Sequence, residues 1–374
     1  MAHAGLGNGW RCSFANDFDP MKAATYSANW GGNHLKVADI NALTTSDLPG
    51  CADLAWASFP CQDLSLAGNA AGLGTEDAQT RSGAFWAFWR LMIALQGEGR
   101  APAVIVLENV YGVLTANGGR EFAMIGRCLA LEGYAFGALL IDGALFVPQS
   151  RPRVFIVAVR QDVTVPPGLV SVAPLPRWHP PAMSAAIERL AEPDLERWRW
   201  WQLPVPKTRP PELASLIEEE PTGVQWHSPA QTACLIAMMS DVSLAKLAAM
   251  KAAASVRVGT IYKRTRPDGT GARVQRAELR DDNIAGCLRT PGGGSSRQTI
   301  VVVDGASVRT RLLSPREAAR LMGLPDHYEL PERYNDAYHI AGDGLIVPVV
   351  RYLSQHLIEP ILAANAQPLL VAAE

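Results

Sequence analysis

The stretch "LAWASFPCQDLSLAG", Leu54 to Gly68, decides the reading of the fold. An apolar, strand-forming run enters Phe-Pro-Cys-Gln and then opens into small polar residues. A cysteine that only fills a core needs neither a proline before it nor a Gln-Asp-Leu-Ser loop behind it. A cysteine that meets a ligand at the end of a strand does, because open α/β sheets bind ligands beyond the carboxyl ends of their strands.

Working outward, residues 12–160 alternate short apolar strands with helical patterns. "CSFANDF" reads as a strand and "PMKAATYSANW" as a helix, with Asp19 at its N-cap and Pro20 at its first position. "ADLAWASF", "AVIVLENV", "GALLID" and "RVFIVAVR" read as strands; "SGAFWAFWRLMIAL" and "FAMIGRCLAL" read as helices. Such alternation predicts an α/β fold with a Rossmann-like doubly wound sheet over residues 1–165. From about Val165 prolines cluster, and a basic, glycine-punctuated stretch follows, "IYKRTRPDGTGARVQRAELR" and then "CLRTPGGGSSRQTIVVV". Helix returns at "SPREAARLMGL", where Ser314 and Glu317 have capping-box spacing. The expectation is a smaller irregular domain over 166–309, with 310–374 returning to the first.

The 374 residues suffice for about two domains. No apolar run reaches membrane-spanning length, and no basic region followed by an apolar core opens the chain. The six cysteines are scattered, without CxxC pairs or ligand-like histidine spacing. That predicts no disulfide framework and no metal, in a reducing cytoplasm. A net charge of −2 requires any nucleic-acid contact to come from a local basic face. Lys263, Arg264, Arg266, Arg273, Arg276 and Arg280 could form one.

The strand ends gather chemistry. Cys61 follows its strand, Glu108 and Asn109 end the next, and Arg151 and Arg153 stand in "FVPQSRPRVF". A thiol, a carboxyl group and two arginines suit the alkylation of an aromatic carbon that is not nucleophilic by itself. A thiolate adds to C6 of a pyrimidine while a carboxyl group bonds N3 and an arginine holds O2. C5 of the resulting enamine then attacks an electrophilic methyl group, so one high barrier becomes two lower ones. Nearby arginines also favour the thiolate.

These motifs resemble the DNA (cytosine-5)-methyltransferases. "PCQ" (Pro60–Gln62), "ENV" (Glu108–Val110), "QSRPR" (Gln149–Arg153), "CLRTPGGGSS" and "RLLSPREAARLMGLPD" (Arg311–Asp326) stand in the family's order. The resemblance implies Cys61 as nucleophile, with Glu108, Arg151 and Arg153 around the target base. It implies S-adenosyl-L-methionine as cofactor, held by Asp17, Phe18, Asp39, Ile40, Pro60 and Asp343. Asp343, in "IAGDGLIVP", stands where the family has Asn, and its charge would repel the cofactor's carboxylate unless bridged or protonated. Double-stranded DNA is the implied partner, with the base flipped out of the stack. Gln62, Ser65, Arg289, Thr290, Gly292 and Gly293 are the candidate DNA contacts. Cys12, Cys51, Cys128, Cys234 and Cys287 lack such company and are expected to be packing residues. "RWRWW" is expected to pack between domains.

Rival readings are an RNA cytosine-5 methyltransferase, a non-catalytic DNA-binding remnant, and another cysteine enzyme such as a hydrolase. No histidine stands in a nucleophile–base arrangement for the last. A monomer free of membranes is expected. The family also opens with a strand running into a glycine-rich loop and then a helix. Between Gly5 and the strand at "RCSFAN" only about five residues remain, where a parallel crossover takes roughly ten or more. Met1–Leu6 is therefore expected to end that first helix, with "GNG" as the turn after it. The opening strand and its loop are expected to be missing from this chain.

Overall fold

The computed structural model describes residues 1–59, 83–207, 209–267, 270–289 and 297–366. Helix α1 (Ala2–Leu6) is followed by a turn at Asn8 and Gly9. Strands β1 (Ala15–Asp17) and β2 (Leu35–Val37) are parallel and joined through α2 (Pro20–Trp30). The sequence marks the start of α2 as expected: the Asp19 carboxylate accepts from the Met21 and Lys22 N–H groups, with Pro20 at the first position. Strand β2 escaped the sequence reading, since three residues with an exposed half carry no usable alternation.

Strand β3 (Leu54–Ser58) lies parallel to β4 (Val104–Val110), with α3 (Gly83–Gly97) between them in sequence. After α4 (Arg120–Leu131) come β5 (Tyr134–Asp142) and β6 (Pro152–Arg160), which complete the order β3-β4-β6-β5. Strand β6 runs antiparallel to its neighbours, so its first residues share an edge with the last residues of β3 and β4. The register places Ser58 opposite Glu108, and Val110 opposite Arg153. The α/β reading holds, but the strands form two blocks. Among the described residues β1 pairs only with β2, and β3 only with β4. Both blocks pack on one core, in which Phe14, Ala38, Ala55 and Ala57 touch a cluster built on Ile105, Leu107 and Phe85.

The first part of the stretch expected as a second domain packs on the catalytic sheet instead. The Phe136 backbone accepts from Arg199 and donates to Arg197, beside the short pair β7 (Val170–Ser171) and β8 (Trp200–Trp201). Trp178, Trp198 and Trp201 are buried there, with Trp201 Nε1 donating to the Val157 carbonyl at 2.9 Å. Burial of the Trp198 and Trp201 rings is what "RWRWW" encodes.

A second sheet has the order β10-β9-β11-β12, from β9 (Arg257–Pro267), β10 (Arg273–Arg280), β11 (Thr299–Asp304) and β12 (Ser307–Leu312). The expected boundary at 309/310 therefore falls inside β12. Strand β11 covers β9 only as far as Ile261. Beyond it, residues 262–267 and 273–278 continue as a two-stranded ribbon.

The helix Pro315–Leu321 begins with the capping box read from the sequence: Ser314 Oγ accepts from the Glu317 N–H at 3.1 Å, and Glu317 Oε2 from the Ser314 N–H at 2.7 Å. Glu317 also takes both terminal nitrogens of Arg311, at 2.6 and 2.8 Å, with both side chains fully buried. Helix Val347–Leu353 lies against α1 so closely that a Cβ on Gly5 would sit 2.4 Å from Val350 Cβ. No described helix is long and apolar enough to cross a membrane.

Candidate active site

Of the four groups expected to converge at the strand ends, Glu108 and Arg153 meet in the structure. Glu108, near the end of β4, is buried, and its Oε1 lies 3.1 Å from Arg153 Nε on β6. Burial pushes the Glu108 carboxyl above its ordinary value, against the pull of Arg153, the Ser58 hydrogen bond and Arg151. A carboxyl group that retains its proton beside an arginine can donate to a ring nitrogen while the guanidinium bonds an adjacent carbonyl oxygen. The neighbouring Asn109 is equally buried. Its Nδ2 donates to the Phe59 carbonyl at 3.0 Å, fixing the chain one residue before Pro60. Pro60, Cys61, Gln62 and Ser65 lie outside the described residues, as do Thr290, Gly292 and Gly293.

The two arginines part company. Arg151 is 3% exposed and donates to three carbonyls, Leu288 at 2.8 Å, Gly342 at 2.7 Å and Gly344 at 2.8 Å. With a fourth bond, to Cys287 Sγ at 3.4 Å, they engage its terminal N–H groups, and of the two arginines Arg153 is the one that pairs with Glu108. Gln149, wholly buried, donates to the Leu321 carbonyl at 2.8 Å and accepts from the Leu288 N–H at 3.1 Å. Gln149 and Arg151 thus sew the segment at Leu288 to the C-terminal helices, and the exposed Arg289 follows directly. Asp142 shapes the loop that carries them, its Oδ1 accepting from the Arg151 N–H at 2.7 Å and the Ala144 N–H at 3.0 Å. No sequence signal singled out Asp142.

One residue earlier, Cys287 is joined to the basic ribbon. The Tyr262 hydroxyl at the ribbon's root donates to the Cys287 carbonyl, and a Cβ on Gly286 would strike the Tyr262 ring at 2.0 Å. Only glycine permits that approach. On the ribbon Arg264 and Arg276 are cross-strand partners, and Glu278 pairs with Arg264 at 3.4 Å and Arg266 at 2.8 Å. Arg280 lies outside it, paired with Asp282 at 2.5 Å.

The cofactor candidates gather at the ends of β1 and β2. Asp17 Oδ1 accepts from the Asp19 N–H at 2.9 Å. Asp39 accepts from the Asn41 N–H at 2.8 Å, and Ile40 packs on the core. Phe18 is 76% exposed, an aromatic face of the kind a flat heterocycle covers. Asp343 is bridged: Lys22 Nζ, on α2, lies 2.7 Å from its Oδ2. Burial lowers the Lys22 pKa, but the hydrogen bond and charge of Asp343, with Asp17 and Asp19, outweigh it and raise the net value. Lys22 was missed because its partner lies 321 positions away. Two carboxylates at strand ends, an open aromatic ring and a neutralised Asp343 fit S-adenosyl-L-methionine.

The remaining cysteines divide. Cys128 is held in apolar surroundings that push its thiol up to about 12, but Cys51 and Cys234 are exposed and do not pack.

The sheet, its second unit and this pocket define an α/β enzyme of the S-adenosylmethionine-dependent methyltransferase type. The chain belongs to the family of C-5 cytosine-specific DNA methylases, whose model matches residues 2–359. Such enzymes transfer a methyl group from S-adenosyl-L-methionine to C5 of cytosine in DNA, and that is the activity of this chain. Among similar proteins, the type II methyltransferase M.NgoBI of Neisseria gonorrhoeae is 25% identical over 338 residues, covering 90% of this chain and 83% of that one. M.HhaI of Haemophilus parahaemolyticus is 23% identical over 353 residues, with 93% and 88% covered. The Spodoptera frugiperda DNMT2 structure superposes with a TM-score of 0.58 at 16% identity, over 96% of each chain, and shares the fold.

Proposed function

We propose that the chain methylates cytosine in duplex DNA through a covalent adduct at Cys61. The observation that supports this is the Glu108–Arg153 pair at 3.1 Å, in register with the strand that leads into Pro60-Cys61. In this reading the Cys61 thiolate bonds C6 of the flipped base. Protonated Glu108 donates to N3, and Arg153 holds O2, so charge developing on the ring is met by groups already in place. When bound, S-adenosyl-L-methionine supplies the methyl group. Gln62 and Ser65 meet the DNA beside the vacated stack. Arg151 braces the site from behind without touching the base.

The exposed β9–β10 ribbon favours duplex DNA over RNA, since a two-stranded ribbon fits the major groove of B-DNA, whereas that of RNA is too narrow to read. The type II relatives support a restriction-modification setting, and in this reading the chain acts as a cytoplasmic monomer.

The test uses duplex DNA carrying 5-fluorocytosine, where fluorine cannot leave as the C5 proton does. Active enzyme should be trapped as an adduct whose mass maps to Cys61, and the Cys61→Ala variant should bind DNA without trapping. An active enzyme that forms no adduct, or one trapped elsewhere, would refute the mechanism. Methyl transfer to transfer RNA but not duplex DNA would establish the RNA reading instead.

A further inference from the structure

His3, Cys12 and His34 come from α1, the segment before β1 and the segment before β2, and no local spacing links them. The fold brings one donor atom from each to within 4.8 Å of the other two, all three residues half-buried. The Tyr26 hydroxyl, from α2, sits among them, 2.8 Å from His3 Nδ1, 2.7 Å from His34 Nε2 and 3.5 Å from Cys12 Sγ. The rings are fixed by packing: His3 stacks on Trp30 at 4.3 Å between centroids, and His34 meets Tyr26 edge-on at 5.5 Å.

Proton counting limits what hydrogen bonding alone does here. The phenol has one proton for His3 Nδ1, His34 Nε2 and Cys12 Sγ, so at least one imidazole must carry its own proton toward it. Cys12 Sγ turns its proton to the Phe14 carbonyl at 3.4 Å, leaving sulfur lone pairs toward the cluster.

We propose that His3 Nδ1, Cys12 Sγ and His34 Nε2 form a zinc site, with the Tyr26 oxygen at the fourth corner. Two imidazoles and one thiolate are the donor set zinc selects over magnesium or calcium, at Zn–N of about 2.0 Å and Zn–S of about 2.3 Å. Binding breaks the Cys12 S–H bond, forms the S–Zn bond and releases the proton to solvent; nothing is oxidised or reduced. The bound ion would clamp α1, α2 and the starts of β1 and β2, the elements that present Asp17, Phe18 and Asp39.

The experiment takes the full chain, stripped with a chelator, and adds zinc and, separately, cobalt(II). The expected results are one retained zinc per chain, a rise in the melting temperature, and a cobalt spectrum with the thiolate charge-transfer band of a tetrahedral site. Cys12→Ser should lose that band, while Cys51→Ser and Cys234→Ser keep it. If Cys12→Ser does not fold, the wild-type spectrum and the two control variants decide. A chain that retains no zinc, a cobalt spectrum without the thiolate band, or a band that survives in folded Cys12→Ser or vanishes in Cys51→Ser or Cys234→Ser overturns the proposal.

Discussion

Lys22 and Asp343 stand 321 positions apart in the chain and 2.7 Å apart in space, so the charge of Asp343 meets its counter-charge from α2. Removing the lysine alone should leave Asp343 to repel the cofactor's carboxylate. Lys22→Ala is expected to weaken S-adenosyl-L-methionine binding about three- to tenfold, the scale of a half-exposed ion pair. Lys22→Ala with Asp343→Asn should recover most of that loss. Calorimetric titration checks both; a double variant as weak as the single one would show that the pair acts by other means.

Glu108 gives a pH dependence of defined sign. Its folded value is raised by burial, and the reaction proposed for it uses the protonated form. Methyl transfer should therefore decline on the alkaline side as the pH rises through that value. Glu108→Gln should lower turnover by about 10²- to 10⁴-fold and remove that limb of the profile. Stability has the same sign: a raised carboxyl stabilises the fold below the ordinary carboxylate range and loses that contribution as pH rises through the folded value. The melting temperature of wild type minus that of Glu108→Gln should thus fall as the pH rises above the ordinary carboxylate range.

The arginines of "QSRPR" should separate by readout. Arg151→Ala strips three carbonyls of their donor, those of Leu288 and Gly342 in buried bonds, and should cost about 3–5 kcal/mol of stability. Arg153→Ala should cost only about 1 kcal/mol, since Glu108 can take up a proton when its partner is removed, but should abolish methyl transfer. Denaturant melts and turnover of the two variants test this. Equal destabilisation of both would erase the division of labour.

The ribbon should carry electrostatic affinity. Replacing Arg264, Arg266, Arg273 and Arg276 together by Ala should flatten the dependence of log binding on log salt by about two to four units, roughly one for each phosphate deprived of its guanidinium. Arg280, paired with Asp282 away from the ribbon, should contribute little. Exchanging the ribbon for that of a relative should move the methylated sequence. A chimera cut at 166 and 309 should fold poorly, because those cuts remove Trp198 and Trp201 from the catalytic sheet and divide β12.

Much of this architecture is written locally. Asp19-Pro20 and Ser314-x-x-Glu317 mark helix starts through bonds made within three residues, and apolar runs mark β4 and β6 because those strands are buried on both faces. Glu108, Asn109 and Arg153 were legible because each sits at a strand end within a recognisable motif. What stayed hidden depends on distant partners. Lys22 reads as a solvated helix residue until Asp343 arrives, Arg151 looks equivalent to Arg153 until Leu288, Gly342 and Gly344 claim its protons, and Cys12 reads as packing until α1 and His34 surround it.

The stitching by Gln149 and Arg151 has a consequence for how the molecule comes apart. Val106 and Phe155 of the catalytic sheet, Ala285, Leu288 and Ile300 of the second unit, and Val350 and Leu353 of the C-terminal helices all belong to one apolar cluster. A cut between the units would open that shared cluster, although the second unit also holds a smaller one of its own around Leu247, Ile261 and Val301. Because the larger cluster is shared, the two should lose structure in a single cooperative step, with calorimetric and van't Hoff enthalpies in agreement. A recognition fragment cut free by protease would leave its share of that interior open to water. Such a fragment would not survive as a separate foldon.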